Sequence, residues 1–488
     1  MKNKIMLTVV ISLLLNSHLI AKDNNPKAIL KTNYKVVYSK KPKSVDTLES
    51  WLKEGEMYGR LRTNNFYYRW ESESAKQQTH LANGVGLSLI YQTPKLYGFD
   101  MRVGLYGSKA EFDNSDASLL KSGKGILSRF DYTNSGSSSM GIIGEAYLRY
   151  SRIDSTQIIL GRQIVETFYT ASNDSKMIPN IFEGLYLSTK AIPKSTINLA
   201  YLTKEKLRDH TQTHSVLVYG DSSSSSSLKP SWSQNDDSAM HKGLTYTRLK
   251  NAGVDTDTPL IVGDFKNKSI DNLSLGFSFY SVPDLVSEVM AEVNYDFKIG
   301  DFTISPAMRY ISQIDGGAGK IGGASYSGKL AGQTGSVGGY KDASSLNSQM
   351  IALRLVGNYQ NYKLNLGYSQ VFDEADLITP WRAFPTAGYT RSMARYNWMA
   401  NTKSYRALLK INSNQKGIYE DMVIELSALH TDADETKGYF DEDYYYVGFV
   451  QNIPEWDNIQ WRLRVGYNDT KKVDADNLDA RFELNYLF

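Results

Sequence analysis

The chain has 488 residues, a formal net charge of +3 and no cysteine. Its mean hydropathy of -0.40 excludes a bundle of membrane-spanning helices, and the lack of cysteine excludes disulfides and thiolate chemistry. So small a net charge gives no global field for a nucleic-acid partner. Tyrosine is abundant, with 34 copies against 17 phenylalanines and 7 tryptophans. Its polar-tipped ring suits a membrane–water boundary, although a tyrosine-rich soluble β-sandwich is an alternative.

The N-terminus, 1–21, has the pattern of a secretory signal peptide. Lys2 and Lys4 precede an apolar run that ends at Leu15, and Ala21 closes a candidate cleavage site. The run is too short to span a bilayer as a helix. Cleavage would remove both lysines and lower the formal net charge from +3 to +1. The alternative is a buried N-terminal helix.

Residues 22–55 are polar and rich in lysine. Leu48, Trp51 and Leu52 share one face at helical spacing, which predicts a short helix within 45–52. We therefore expect a periplasmic N-terminal segment. It would be either a cap or partial plug, or an ordinary tether.

From 56 onward apolar and polar residues alternate with a period of two, which is the period of side chains on a β-strand. The pattern is clearest over 289–297, 302–310, 405–411 and 459–467. It predicts about eighteen strands, an even number as in single-chain outer-membrane barrels. The predicted strands are 56–68, 81–92, 98–108, 140–151, 156–164, 183–191, 196–205, 258–266, 271–281, 286–297, 301–313, 347–358, 361–371, 402–412, 420–430, 443–452, 457–468 and 477–488.

The connections between these strands are alternately short and long. The long ones lie near 109–139, 206–259, 315–347, 373–402 and 431–443. This asymmetry is typical of transmembrane barrels, which have short periplasmic turns and long extracellular loops. Within the second long connection, 216–219 and 244–246 could pair as a hairpin in the loop. No helical period longer than that of the N-terminal segment is found.

The chain ends on the same alternation. Phe482, Leu484 and Tyr486 share one face with the terminal Phe488, while charged and polar residues occupy the other face. A C-terminal phenylalanine is usual in bacterial outer-membrane barrels. The fold class predicted for 56–488 is therefore an all-β, antiparallel transmembrane β-barrel of about eighteen strands.

Several segments resemble known sequences of one family. They are 84–91 with 96–99, 161–163, 173–179, 182–184, 271–276 and 403–406. In these segments the chain resembles OprD-type (Opr) porins, and the resemblance extends over 56–488. The segment 173–179 is the most distinctive, because it is similar to the third extracellular loop of that family. The N-terminal extension and several serine- and glycine-rich loops depart from the family pattern.

The resemblance implies an eighteen-stranded pore narrowed by loops three and seven, which fold inward. It also implies a row of inward arginines that steers anionic groups. Members of the family pass basic amino acids in some cases and aromatic or small carboxylates in others. No cofactor and no metal are implied.

Candidate residues for a basic pore wall lie on the polar faces of the predicted strands. A guanidinium stays charged at physiological pH and matches a carboxylate with two parallel donors. The alternative for each is a wall arginine paired with a neighbouring Asp or Glu. The candidates are Arg60, Arg62, Arg102, Arg149, Arg309, Arg354, Arg406, Arg462, Arg464 and Arg481.

Candidate constriction residues lie in two of the long connections. An acidic loop-three group opposite basic groups would set up a field across the passage. The alternative is that both loops touch only solvent. The loop-three candidates are Tyr169, Ser172, Asn173, Asp174 and Lys176, and the loop-seven candidates are Trp381, Arg382, Tyr389, Arg391 and Arg395.

We therefore expect a passive, substrate-selective porin for amino acids or small carboxylates, and not an enzyme. Its partners would be outer-membrane lipids and a small solute, without nucleic acid, and it would be a monomer or a trimer. Two alternatives remain. One is a surface adhesin or receptor barrel with a closed lumen. The other is a barrel enzyme, which would need His210 or His430 beside an acid or a nucleophile.

Overall fold

The computed structural model describes residues 27–488, apart from 75–76, 113–114, 173, 219–240, 329–337, 380 and 414–419. The predicted signal peptide, 1–21, lies outside the described residues. The expected N-terminal segment is described from residue 27 onward. It contains a two-stranded hairpin, β1 (Ala28–Leu30) with β2 (Val36–Tyr38), followed by helix α1 (Leu48–Lys53).

A closed antiparallel barrel of eighteen strands is formed by the described part of the chain. Its strands are β3 (Glu56–Trp70), β4 (His80–Gln92), β5 (Phe99–Phe112), β6 (Ser139–Tyr150), β7 (Thr156–Gln163), β8 (Ile181–Thr189), β9 (Ser195–Lys206), β10 (Leu260–Asn267), β11 (Leu273–Val282), β12 (Val286–Tyr295) with its continuation β13 (Phe297–Ile299), β14 (Phe302–Asp315), β15 (Ser348–Tyr359), β16 (Tyr362–Val371), β17 (Lys403–Ser413), β18 (Met422–Asp432), β19 (Glu442–Ile453), β20 (Trp456–Thr470) and β21 (Asn477–Leu487).

The predicted fold class is confirmed, and each predicted strand has an observed counterpart whose ends differ by four residues or fewer. β12 and β13 count as one strand because both pair with β14. The barrel closes where β21 pairs with β3, and Phe488 extends this seam by exchanging backbone hydrogen bonds of 2.7 and 3.0 Å with Gly59.

The two faces of the wall differ as the alternation predicts. On the outer face Leu87 is 44% exposed and Leu105 is 50% exposed, as expected for side chains that face lipid. On the inner face Arg60 is 6% exposed and Asn64 is 2% exposed. Backbone groups of neighbouring strands pair all around the closed barrel, so among the described strands no edge faces lipid.

The connections are numbered one to nine after β3, β5, β7, β9, β11, β14, β16, β18 and β20. Loops two (113–138), three (164–180), four (207–259), six (316–347) and seven (372–402) are the long ones. Within the described residues no helix is long and apolar enough to cross a membrane.

Short helices lie in the loops, which the periodicity did not predict. They are α2 (Ser115–Lys121), α3 (Arg129–Ser135), α4 (Tyr246–Asn251) and α5 (Ala318–Gly322). α2 and α3 have seven residues each, against six in α1, although the sequence shows no longer helical period. Two turns of helix contain too few positions to show a period. Local caps mark α3 instead, with Ser128 accepting from the amide of Asp131 and Gly136 in the left-handed conformation.

The hairpin expected in loop four is also wrong for the described residues. Val216, Leu217 and Val218 form no strand and are buried in an apolar cluster, and Tyr246 begins α4. Residue 219 lies outside the described part of the chain. Three consecutive buried apolar side chains cannot share one face of a strand, because strand neighbours point in opposite directions.

Candidate functional site

The ten candidate arginines all lie on the inner face of the barrel. Each occupies a strand position between two outward residues, most of them apolar, so the period of two turns its side chain inward. Arg60, Arg62 and Arg102 are each less than a tenth exposed. In ring order the ten lie on β3, β5, β6, β14, β15, β17, β20 and β21.

The ten arginines are unevenly distributed around the inner wall. None of the ten arginines lies on β7 to β12. Instead, β10 carries the inward carboxylate Asp264, and β12 carries Glu288 and Glu292. Asp264 and Glu288 are less than a twentieth exposed.

Most of the arginines are paired with carboxylates, which is the alternative that the sequence analysis gave for each of them. The pairs are Arg60 and Arg62 with Asp174, Arg102 with Glu145, Arg149 with Asp100, Arg309 with Glu292, Arg464 with Glu483, and Arg481 with Asp479. Three others contact neutral acceptors. Arg354 donates to the carbonyl of Gly388, Arg406 to the Ser427 hydroxyl, and Arg462 to the carbonyl of Thr32.

Loop three contacts the wall at β3 through its acidic residue. Asp174 accepts from Nη1 of Arg60 at 2.6 Å and from Nη1 of Arg62 at 2.8 Å. Arg62 also donates to the carbonyl of Met177, and Asn64 donates to the carbonyl of Ser175 at 3.0 Å. Three successive inward side chains of one strand thus bind the same loop segment.

The start of loop three contacts the opposite side of the barrel. The ring of Tyr169 packs edge-on against Tyr280 of β11 at 4.8 Å, and Tyr280 packs against Trp381 of loop seven at 4.7 Å. Counting β3 as the first of the eighteen strands of the described barrel, β11 is the ninth. Loop three therefore spans the interior from β11 to β3.

Other loop-three candidates line this path. The Lys176 ammonium lies 4.2 Å from the centre of the Phe66 ring, and burial lowers the pKa of Lys176 well below its ordinary value. The Ser172 amide donates to Glu166 at 3.0 Å. Asn173 lies outside the described residues.

Loop seven pairs with loop three inside the barrel. The Ala171 amide donates to the carbonyl of Trp381 at 3.0 Å, and Thr170 forms an isolated β-bridge with Arg382. Trp381 is fully buried, and its indole N–H donates to the carbonyl of Val216 in loop four at 2.7 Å. The contact thus joins three loops, with loops three and seven linked through their backbones and loop four linked through the indole of Trp381.

Loop seven reaches the wall around Tyr389. Its ring lies 4.5 Å from the guanidinium carbon of Arg309 and 4.8 Å from that of Arg354. Gly367 on β16 makes room for this segment, because a Cβ there would lie 2.5 Å from the Tyr389 carbonyl oxygen. Arg309 also donates to the carbonyl of Ala387 at 2.9 Å.

Arg391 lies in an aromatic surrounding. Its guanidinium carbon is 4.3 Å from the Phe384 ring, 5.5 Å from Tyr396 and 5.9 Å from Trp398. Burial lowers the pKa of Arg391 to about 10, so the side chain remains charged at neutral pH. Loop seven thus brings a cation and an aromatic cluster to the interior. Its other candidate, Arg395, pairs with Glu442 of β19 at 2.9 Å.

Two cavities lie on either side of the loop contact. The larger, of about 720 Å³, opens toward the periplasmic turns and is lined by Arg60, Arg102 and Arg149 among others. The smaller, of about 320 Å³, lies on the loop side beside Arg406, Arg464 and Arg481. Tyr34, Arg382 and Phe384 border both cavities, so they mark the boundary between them.

Sequence reasoning named Arg382 but missed Phe384 and Tyr34. Phe384 sits in an irregular loop with no period, and Tyr34 lies in a lysine-rich N-terminal stretch. One available signal was the aromatic content of loop seven, since Phe384 precedes Tyr396 and Trp398 within a polar loop.

The histidines of the enzyme alternative lie apart from these cavities. The two rings of His210 and His214 are 2.8 Å apart between ring nitrogens, buried at the base of loop four. His430, on β18, contacts Asp443 at 2.9 Å and is about half exposed. In the described part of the chain no group of three or more His, Cys, Asp and Glu side chains is placed to hold a metal ion.

Comparison with known proteins agrees with this architecture. The sequence model of the outer membrane porin, OprD family, matches residues 103–407. No curated protein sequence matches significantly.

Among solved structures, Acinetobacter baumannii OccAB3 is similar with a TM-score of 0.67 at 13% identity, over 89% of this chain and 99% of that one. Pseudomonas aeruginosa OpdK gives 0.63 at 12% over 89% and 99%, and P. aeruginosa OccK9 (OpdG) gives 0.65 at 13% over 90% and 99%. These structural likenesses show the shared fold, and the family match covers more than half of the sequence. The chain is an outer-membrane β-barrel that belongs to the OprD family of porins.

Proposed function

We propose that this porin is a passive, substrate-selective channel for small hydrophilic solutes, narrowed by loops three and seven. The single observation that carries the proposal is the contact of these loops between the two cavities. A barrel of this size without inward loops leaves a wide aqueous lumen. A backbone contact such as that from Ala171 to Trp381 supports a fixed narrow point within the lumen.

The charge of the inner wall favours solutes that carry a carboxylate. A solute must bind well enough to enter and weakly enough to leave. Arg354, Arg406 and Arg462 suit this role, because each is held by neutral acceptors that a solute carboxylate can replace. Arginines already paired with a buried Asp or Glu would have to give up a stronger partner. The substrate class we propose is amino acids or small carboxylates.

An aromatic carboxylate is a useful member of the test panel. A relative with 12% identity, P. aeruginosa OpdK, has a solved structure with vanillate. Arg391 with Phe384 would offer such a solute both a cation and an aromatic surface. For the N-terminus we propose that 1–21 is a signal peptide and that 22–55 is a segment on the periplasmic side that partly plugs the barrel.

Single-channel recording and liposome swelling test the proposal. The purified protein in planar bilayers should give discrete conductance steps. In liposomes, small carboxylates should enter faster than neutral and cationic solutes of the same size. Arg354→Gln should reduce this preference, while Lys472→Gln in exposed loop nine should leave it unchanged.

Two outcomes would contradict the proposal in different ways. Equal swelling rates for all solutes of similar size would remove the selective part and leave a general pore. A complete lack of conductance steps would favour a receptor or adhesin barrel with a closed lumen.

A further inference from the structure

The N-terminal hairpin lies inside the barrel. Gln460 donates from Nε2 to the carbonyl of Leu30 at 2.7 Å, and Arg462 donates from Nη1 to the carbonyl of Thr32 at 2.9 Å. Leu487 packs with Leu30 in one apolar cluster. Since Gln460, Arg462 and Leu487 are inward positions of β20 and β21, the hairpin rests on the inner wall.

The base of the hairpin is fixed at the end of the barrel that carries the short turns. Glu56, the first residue of β3, pairs with Lys40 at 2.7 Å and with Lys27 at 3.6 Å. Arg102 donates to the Tyr38 hydroxyl at 2.6 Å and lies 4.5 Å from the centre of that ring. Both flanks of the hairpin are thus anchored, so the segment enters from the periplasmic mouth.

The tip of the hairpin is Tyr34, which has a left-handed backbone with φ 69°. Its ring centre lies 3.6 Å from the guanidinium carbon of Arg462 and 5.6 Å from that of Arg464. Its hydroxyl donates to Glu483 at 3.3 Å. One tyrosine therefore covers two arginines of the proposed basic wall and contacts the carboxylate between them.

Tyr34 also lies on the proposed path of the solute. It borders both cavities, together with Arg382 and Phe384 of loop seven. Loops three and seven contact the wall at β3, β11, β14 and β16. The hairpin contacts it at β20 and β21.

We propose that the N-terminal hairpin forms a third wall of the constriction and that Tyr34 is a specificity-determining residue. This inference rests on the proposed channel function and adds to it. By covering Arg462 and Arg464, Tyr34 limits how strongly a carboxylate binds at this point. A solute carboxylate competes with the aromatic ring and with Glu483 for these two guanidinium groups.

Three variants test the effect on permeation. Deletion of 27–40 should raise the single-channel conductance by roughly twofold or more, because it widens the narrow point. Tyr34→Ala should raise conductance less and shift the reversal potential in a salt gradient toward anion selectivity, because both arginines become accessible. Tyr34→Phe retains the ring over Arg462 and should behave like the unaltered protein.

Thiol labelling tests the position of the hairpin without relying on conduction. The chain has no native cysteine, so a single introduced one reports its own surroundings. Asn33 lines the larger cavity, whereas Lys53 in α1 is 72% exposed by its side chain. A polymer-linked maleimide too large for the barrel should label Lys53→Cys and spare Asn33→Cys, while a small methanethiosulfonate should label both.

The outcomes separate this inference from the channel function. Conductance steps of unchanged size and ion selectivity in the deletion variant and in Tyr34→Ala would overturn the proposal of a third wall. They would leave the proposed channel function intact. Equal labelling of Asn33→Cys and Lys53→Cys by the polymer-linked maleimide would also overturn this proposal, because the hairpin would then lie outside the barrel. A lack of steps in the unaltered protein and in every variant would overturn both proposals together.

Discussion

Loop three and loop seven contact each other inside the barrel, but different interactions hold them against the wall. The tip of loop three is bound by charge, since Asp174 joins the guanidinium groups of Arg60 and Arg62. Loop seven is bound by shape around Tyr389, which packs between arginine side chains and over Gly367. The first loop therefore depends on one carboxylate, while the second depends on the space that the wall leaves open.

The largest effect should follow from removing that carboxylate. Asp174→Ala leaves two buried guanidinium groups without their partner, which should destabilise the closed loop by about 3–5 kcal/mol. Amide hydrogen exchange of residues 171–177 should then be much faster, and conductance should rise. Asp154→Ala, in an exposed periplasmic turn, is the control. Exchange rates equal to those of the control would show that charge does not hold loop three.

A smaller effect is expected from filling the space beneath loop seven. Gly367→Val adds a Cβ that would lie only 2.5 Å from the Tyr389 carbonyl oxygen if the backbone did not move. Overpacking of this kind costs about 2 kcal/mol and should displace Tyr389. Gly357→Val on the adjacent strand is the matched control, because a Cβ there meets nothing within 4 Å. Thermal unfolding and hydrogen exchange of loop seven would measure the difference, and equal values for both variants would contradict the role of shape.

At the start of loop seven, Asp373 forms ion pairs with Lys437 at 2.7 Å and with Lys341 at 3.2 Å, and the buried pair with Lys437 gives a pH dependence. Lys437 of loop eight is 1% exposed and binds Asp373 at 2.7 Å, and it also binds Asp434 at 2.6 Å. The Lys437 hydrogen bond lowers the pKa of Asp373. Although burial raises the pKa of Asp434, hydrogen bonds from Lys437, Thr436 and Asn401 lower it overall. Despite the opposing effect of burial, the two carboxylates raise the pKa of Lys437.

The directions of these pKa shifts determine how the stability of the contact changes with pH. The carboxylate contribution is present above the ordinary Asp pKa of about 3.9 and is lost as pH falls through the lowered pKa values. The lysine contribution is present below its ordinary pKa of about 10.4 and is lost as pH rises through the raised value. Lys437→Met should cost about 1–2 kcal/mol, discounted because Asp373 is 32% exposed.

Hydrogen exchange at the junction of loops seven and eight would check this, with Lys472→Met as an exposed control. Between about pH 5 and 9 the unaltered protein should show a constant protection that the variant lacks. Protection that varied within this window would contradict the assignment to these three groups.

The smallest effect should separate the ring of Tyr389 from its hydroxyl. Tyr389→Phe keeps an aromatic face for Arg309 and Arg354, and the closed loop should lose little stability. Tyr389→Leu should be less stable than Tyr389→Phe by about 1 kcal/mol from the lost cation–π contacts. A thermal-unfolding comparison that ranked the two variants equally would show that the rings contribute only volume.

The wall of the barrel could be predicted from sequence because its physics is local. Each strand has one face in lipid and one in the interior, so alternation alone located stretches such as 459–467 and turned Arg462 and Arg464 inward. The same pattern could not give their partners. Arg464 meets Glu483 across a strand pair, and Arg60 meets Asp174 more than a hundred residues away. Such contacts depend on register and on loop conformation.

The loops and the hairpin were harder for a related reason. Val216 and its neighbours pack against Trp381 in one apolar cluster. Their burial follows no helical or strand period, so the sequence pattern could not predict it. The tip of the hairpin carries a tyrosine between lysines, a composition also found in ordinary tethers. Contacts between residues far apart in sequence distinguish it, such as the hydrogen bond between Thr32 and Arg462, which are 430 positions apart.

The barrel seam has a consequence for how the protein is assembled. β21 and β3 join the two ends of the chain, and the hairpin rests on β20, β21 and β3. The surface that binds the hairpin is therefore complete only when β21 has paired with β3. A chain truncated before β20 would lack this surface, so the hairpin can bind there only after the barrel has closed.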